Sequence, residues 1–356
     1  MIQLTLEQCK KLIQNRDITT LDIDELIRFF HTEEEIKRFL PEETAAQDPR
    51  TLDYIIFNSR RASRPIDYNQ TKGKNAPCVI CQGKTTGILD FVNLSEGFTF
   101  INKNLFPIVY PHNLNSMKTQ ARGFHFLQWT SSIHENDWLN MPINDLNLVV
   151  KRMSEIEGYL LSNKGKFFPE TENGYVSIIK NYGSKVGGSL SHDHQQIGFS
   201  NLMPRRVSDN LKFNSKKKQV FTEFLLKENP RNLIIKDYGP VILIVPFYMQ
   251  RPLYMTLVIK DGHKQFLHEL SEDELQAVTI GWIDAIYVIN KLMAKLGKDI
   301  AYNVTTNTQS GVYFEFLPYT QEFGGFEHLG LYSCQMSPDQ AAELIQRTLN
   351  DRSIAQ

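Results

Sequence analysis

Residues 181–196 read Asn181-Tyr-Gly-Ser-Lys-Val-Gly-Gly-Ser-Leu-Ser-His-Asp-His-Gln-Gln196. Small residues dominate the first part: Gly183, Ser184, Gly187, Gly188, Ser189 and Ser191. The second part carries His192 and His194 one residue apart, then Gln196. Upstream, Tyr175-Val-Ser-Ile-Ile-Lys180 has the β-branched density of a strand. In an extended chain, positions two apart share a face, so His192, His194 and Gln196 are expected to project together. Glycines and serines ahead of them allow backbone N–H groups to approach an anion without interference from a Cβ. A phosphate cradle beside paired imidazoles points to chemistry at phosphorus. A lone His-x-His is more often core or surface; the glycine run, the spaced Gln196 and the cysteine pair below favour a site.

The whole chain of 356 residues is 41% hydrophobic with a net charge of −1, and is long enough for two domains or one duplicated domain. That charge argues against a nucleic-acid or membrane-surface partner, and Lys216-Lys217-Lys218 reads as a solvated loop. No stretch approaches the roughly 20 apolar residues of a membrane span, and the N-terminus lacks a signal pattern. Four cysteines, Cys9, Cys78, Cys81 and Cys334, are too few for a disulfide scaffold. A cytoplasmic, unprocessed protein is expected.

Residues 1–50 carry helical stripes, Leu6, Cys9, Leu12 and Ile13, then Leu26, Ile27, Phe30, Ile36, Phe39 and Leu40, and read as an N-terminal helical extension without chemistry. The strand beginning Ile55-Ile-Phe runs into Arg60, Arg61 and Arg64 and stops at Pro65. The arginines suit a charged strand end, or Arg61 and Arg64 reach a ligand's phosphates. Cys78-Val-Ile-Cys81 offers two thiolates to a zinc ion that needs two further ligands, or a redox pair without the βαβ pattern expected around one. Candidate partners are His125, His134 and His192. Cys78, Cys81, His134 and His192 are favoured as a closed, structural site that would fix the strand presenting His194. Phe98–Tyr110 reads as a strand with an Asn-rich bend, and 144–162 as an amphipathic helix over a sheet.

After a polar, irregular stretch from Asn201 to Lys218 the pattern repeats. The strand Leu253–Lys260 leads to a helix opened by the capping box Ser271-x-x-Glu274, then strands Ala301–Thr306 and Gly311–Leu317. Phe314-Glu-Phe316 matches His192-Asp-His194 roughly. The expected fold is α+β: two duplicated histidine-triad-like halves, largely antiparallel sheet flanked by helices, with the N-terminal extension. Its domains are 1–50, 51–205 (catalytic and zinc) and 206–356 (sugar-binding side).

These residues resemble the galactose-1-phosphate uridylyltransferase family, the nucleotidyltransferase branch of the histidine-triad superfamily, over about residues 52–350. The resemblance rests on His192, His194 and Gln196; on Asn181, Gly183, Gly187 and Ser189; on Arg61 to Pro65; and on Cys78, Cys81, His134 and His192. It implies a nucleotidyltransferase in which His194 attacks the α-phosphorus of a nucleotide sugar and passes the nucleotidyl group to a sugar 1-phosphate or to phosphate. Gln196 and the loop around Gly187, Gly188 and Ser189 would stabilise charge. Gln in place of a third His would favour transfer over hydrolysis. Arg61 and Arg64 would hold phosphates, Asn104 and Asn181 would bind substrate, and Glu327 would contact sugar hydroxyls. Structural zinc and a homodimer are also implied.

Phe314 and Phe316 stand where some members bind a second metal, so none is expected. Ser333 stands where some aim a glutamine at the hexose. The glycine–histidine pattern also looks like nucleotide-sugar or dinucleoside-polyphosphate phosphorylases, using inorganic phosphate on an ADP- or GDP-sugar. A different class, a non-catalytic zinc-stapled nucleotide-binding module, would keep the cysteines and histidines without the transfer.

Overall fold

A computed structural model describes residues 2–64, 78–113 and 120–355; Pro65 lies outside them. The chain divides into two compact units, residues 1–179 with 189–208, and residues 180–188 with 209–356.

Alternating sequence builds the first unit. A small ladder joins β1 (Ala45–Gln47) to β2 (Tyr54–Ile56). The main antiparallel strands are β3 (Ile88–Asn93), β4 (Phe98–Lys103), β5 (Gly123–Trp129), β6 (Tyr175–Tyr182) and β7 (His194–Ser200), in spatial order β3-β4-β5-β7-β6. β5 decides what each face carries. Phe124 and Phe126 point one way, into a cluster with Phe30, Phe167 and Phe199. Leu127 and Trp129 point the other way, opposite Gln196 and His194 of β7. The helix Ile143–Ser162 covers the phenylalanine face, and its Val149 carbonyl accepts from Gln128 at 2.9 Å.

The N-terminal helices Leu6–Leu12 and Ile23–His31 form as expected, each with a side-chain N-cap. They are integral to the first unit rather than appended to it. Leu4 and Cys9 pack with Ile80, Ile88, Phe100 and Trp129, while Phe30 fills the opposite face. Arg152 of the covering helix ion-pairs with buried Asp90 and, at 2.9 Å, with Asp17. Lys103, fully buried, pairs with Glu33 at 2.9 Å. A buried charge deprived of such a partner costs several kcal/mol, so the first 40 residues are tied to the sheet.

The second unit repeats the order. Strands β8 (Ile234–Asp237) and β9 (Val241–Ile244), not anticipated from the sequence, precede β10 (Met255–Ile259), β11 (Tyr302–Asn307) and β12 (Tyr313–Pro318) in the order β8-β9-β10-β12-β11. In both units a long helix joins the third strand to the fourth; here it is Glu272–Lys295, opened by the Ser271–Glu274 capping box. That helix is long and apolar enough to cross a membrane, contrary to the sequence count, but 72% of its apolar window is buried. The stretch expected to be irregular contains the helix Arg205–Lys217. Matching strand ends (Trp129 with Ile259, Tyr175 with Tyr302, Ser200 with Pro318) put Ser310, Val312 and Phe314 in the places of His192, His194 and Gln196. The expected match to Phe314-Glu-Phe316 is therefore four residues out. Nothing in the local sequence marks register; the ladder does.

Candidate active site

The strand β7 begins at His194, and that start separates the two histidines. His192 lies in the bend before it, fully buried, with its ring turned away from the His194–Gln196 face. The expectation that His192, His194 and Gln196 project together holds only for the last two. Asp193 accounts for the bend: its carboxylate accepts from Thr130 Oγ1 at 2.5 Å, and its carbonyl accepts from Thr130 N.

His192 joins Cys78, Cys81 and His134, whose ligand atoms all lie within 4.8 Å of one another. Nδ1 of His192 is 3.6 Å from Cys78 Sγ and 3.5 Å from Cys81 Sγ; Nδ1 of His134 is 3.7 Å from Cys81 Sγ. Around a tetrahedral zinc with bonds of about 2.0–2.3 Å, ligand atoms stand roughly 3.3–3.8 Å apart, the range of these three separations, and two thiolates with two imidazoles are a donor set that suits that ion. The far nitrogen of His192 lies 2.8 Å from the Ser131 carbonyl. Donating there leaves Nδ1 free of its proton and facing the cluster, the outer contact typical of a ligating histidine. Hydrogen bonding from Cys81 above all holds the Cys78 thiol far below its ordinary range. These four residues could hold one metal ion.

His194 and Gln196 open instead onto a cavity of about 400 Å³, also lined by Trp129, Leu127, Asn104, Ser189, Arg64 and Phe106. His194 is 6% exposed, its ring 4.9 Å from that of Trp129. Its Nδ1 is 2.8 Å from the His192 carbonyl. A ring nitrogen facing a carbonyl must donate, so the lone pair of neutral His194 is on Nε2. Asn104 lines the cavity and steadies its own turn, accepting from Phe106 N at 2.8 Å.

The two arginines part company. Arg64 lines the cavity. Arg61 does not: its guanidinium donates to the Phe106 carbonyl at 2.6 Å, and burial, then Arg64, brings it down to about 10, still a cation.

Four candidates belong to the second unit. Asn181 Oδ1 accepts from Asn303 Nδ2 at 2.7 Å. Gly187 and Gly188 give their N–H groups to Ser184 O and Gly183 O, at 3.3 and 3.0 Å. The loop itself uses the groups expected to meet an anion. A Cβ on Gly188 would stand 2.8 Å from Gly183 O, so the tight turn explains that glycine. Glu327 accepts from Ser333 N and Gly324 N at 3.1 and 2.9 Å, which lowers its carboxyl and closes the exposed loop around it.

Sequence reasoning missed several lining residues. Glu35, Arg38 and Phe39 come from the segment read as chemically silent, and Phe39 packs on Phe106 with centroids 4.2 Å apart. It also passed over His125, weighed only as a metal ligand. His125 is buried behind Gln196, 3.1 Å from its Oε1. A histidine alternating with phenylalanines in Phe124-His-Phe126 was the available signal.

No protein-family model matches the chain. It is 25% identical over 339 residues to ADP-glucose phosphorylase of Arabidopsis thaliana, covering 84% of this chain and 91% of that protein. It is 23% identical over 234 residues to galactose-1-phosphate uridylyltransferase of Thermotoga maritima, covering 64% and 69%. Among solved structures, a uridylyltransferase superposes with a TM-score of 0.68 at 17% identity, covering 87% of this chain and 99% of that one. ADP-glucose phosphorylase of Arabidopsis thaliana with bound ADP-glucose gives 0.63 at 18%, covering 86% and 98%. At such identities the structural likenesses speak to the fold.

Proposed function

The chain belongs to the galactose-1-phosphate uridylyltransferase-like family, and from that premise we propose that it is a nucleotidyltransferase that forms a covalent nucleotidyl–His194 intermediate from a nucleotide sugar. One observation carries the reading: a buried imidazole at the cavity wall whose Nδ1 hydrogen is tied to the His192 carbonyl, leaving the lone pair on Nε2. In the first step Nε2 bonds to the α-phosphorus, and the bond to the bridging oxygen breaks to release sugar 1-phosphate. In the second an acceptor oxygen takes the nucleotidyl group and the His194 ring returns to neutral. Splitting one displacement into two lowers each barrier. Arg64 supplies fixed positive charge, and Gln196 and Ser189 supply donors for the non-bridging oxygens.

The resident metal in this reading is zinc, held by Cys78, Cys81, His134 and His192 and structural in role. None of the four cysteines is in a disulfide, which supports a reducing, cytoplasmic setting.

The acceptor distinguishes two forms of the activity. Sugar 1-phosphate makes the protein a uridylyltransferase-like enzyme; inorganic phosphate makes it a phosphorylase. The second is favoured by the broader cover of the phosphorylase relative, 84% of this chain against 64%.

The test is to incubate the protein with UDP-glucose and ADP-glucose separately and weigh the peptide containing His194. A UMP or AMP increment, lost in His194→Gly with zinc content unchanged, is expected. Addition of glucose 1-phosphate or phosphate then identifies the acceptor that removes it. An increment on another residue, or none, would sink the proposal.

A further inference from the structure

The side chain of Gln196 ends in one oxygen and one nitrogen, and only the nitrogen can donate to a phosphate oxygen. Which of them faces the cavity is decided behind it. The N–H of Ile108 donates to His125 Nδ1 at 3.1 Å. A nitrogen that accepts carries no proton, so the proton of the neutral ring is on Nε2. Nε2 lies 3.1 Å from Gln196 Oε1 and can only donate to it. The Gln196 oxygen is thereby held toward His125 and its NH₂ is left for the cavity, where no described residue hydrogen-bonds it. The Asn104 nitrogen is also 3.2 Å from Nε2, but its oxygen is fixed by Phe106 N. Its hydrogens find no lone pair on the ring and remain for a ligand.

His125 is 2% exposed, and burial, reinforced by Arg61, pushes it down to about 3. The ring therefore stays neutral, and this arrangement persists across the physiological range. The geometry points to His125 as the positioning residue that turns the Gln196 amide nitrogen toward the transferring phosphoryl group. This inference rests on the nucleotidyl-transfer reading of His194.

Two substitutions separate positioning from simple packing, because each keeps a different nitrogen's role. His125→Asn places an oxygen near Nδ1, retaining the acceptor for Ile108 and losing the donor to Gln196. His125→Gln places a nitrogen near Nε2 and retains that donor. With UDP-glucose and ADP-glucose as probes, His125→Asn should slow nucleotidylation of His194 about tenfold to a hundredfold, with KM shifted by less than about threefold. His125→Gln should recover most of that loss. In a Gln196→Ala background, His125→Asn should cost at most about twofold more, since its route of action is gone.

Equal damage from both substitutions, or the full loss repeated without Gln196, overturns the inference. If the wild type takes no nucleotidyl group from either sugar, the functional reading fails on its own. Nitrogen NMR of the His125 ring then decides the geometry: a proton on Nε2 upholds the inference, and one on Nδ1 ends it.

Discussion

Nδ1 of His194 stands 2.8 Å from the backbone carbonyl of His192, while the ring of that same His192 stands 3.5 Å from Cys81 Sγ. A single residue thus belongs through its side chain to the four-residue cluster that could hold a metal ion, and orients the His194 ring through its backbone. The cluster's integrity should therefore be visible in the chemistry at His194, although no metal ligand lines the cavity.

With zinc in the cluster as proposed, Cys81→Ser is expected to lower the metal content and to destabilise the first unit by about 3 kcal/mol or more. Nucleotidylation of His194 should slow further than nucleotide binding weakens. Metal analysis, thermal melts with and without a chelator, and the rate of adduct formation check this. Unchanged zinc and an unchanged melting temperature would remove the cluster's structural role.

Arg64→Ala and Arg61→Ala should behave differently because only Arg64 lines the cavity. Arg64→Ala should raise the KM for nucleotide sugar about tenfold to a hundredfold with little change in stability. Arg61→Ala deprives the Phe106 carbonyl of its donor and should cost about 1–3 kcal/mol, with a smaller effect on KM. Steady-state kinetics beside urea unfolding separates the two; the reverse assignment would move the phosphate contact to Arg61.

Stability should fall in acid partly through His125. Its folded value is lowered to about 3 by burial and by Arg61, against about 6.5 in an unfolded chain. The unfolded state then binds the extra proton first. The contribution is fully present above about pH 6.5 and is lost as pH falls toward 3, at up to about 1.4 kcal/mol per pH unit. His125→Gln, which does not titrate, should flatten the profile in that window. Unfolding free energies at several pH values for the two proteins test it, and identical slopes would contradict it.

Phe30→Ala is expected to destabilise the first unit by about 3–5 kcal/mol. Phe30 is fully buried against Phe124 and Phe126. A dispensable N-terminal appendage would show a change near zero in the same denaturation measurement.

The sequence by itself determined which local groups could carry chemistry. The stretch Asn181–Gln196 singled out His194 and Gln196, which line the cavity, and the Cys78–Cys81 spacing singled out half of the four-residue cluster, because residue type and short spacing suffice for that much. The alternating and helical periods announced most of the strands and the long helices, since each period records which side of an element is buried.

Tertiary structure alone decided the rest, and the reason is common to all of it: these roles depend on contacts between residues far apart in the chain. Asp193, anchored to Thr130, bends the backbone so that His192 and His194 face different sites. Strand register moved the second unit's match by four residues. Pairing of Lys103 with Glu33 and of Arg152 with Asp17 made the N-terminal helices part of the cavity's support. The Ile108 N–H, donating to Nδ1 of His125, decided which ring nitrogen faces Gln196.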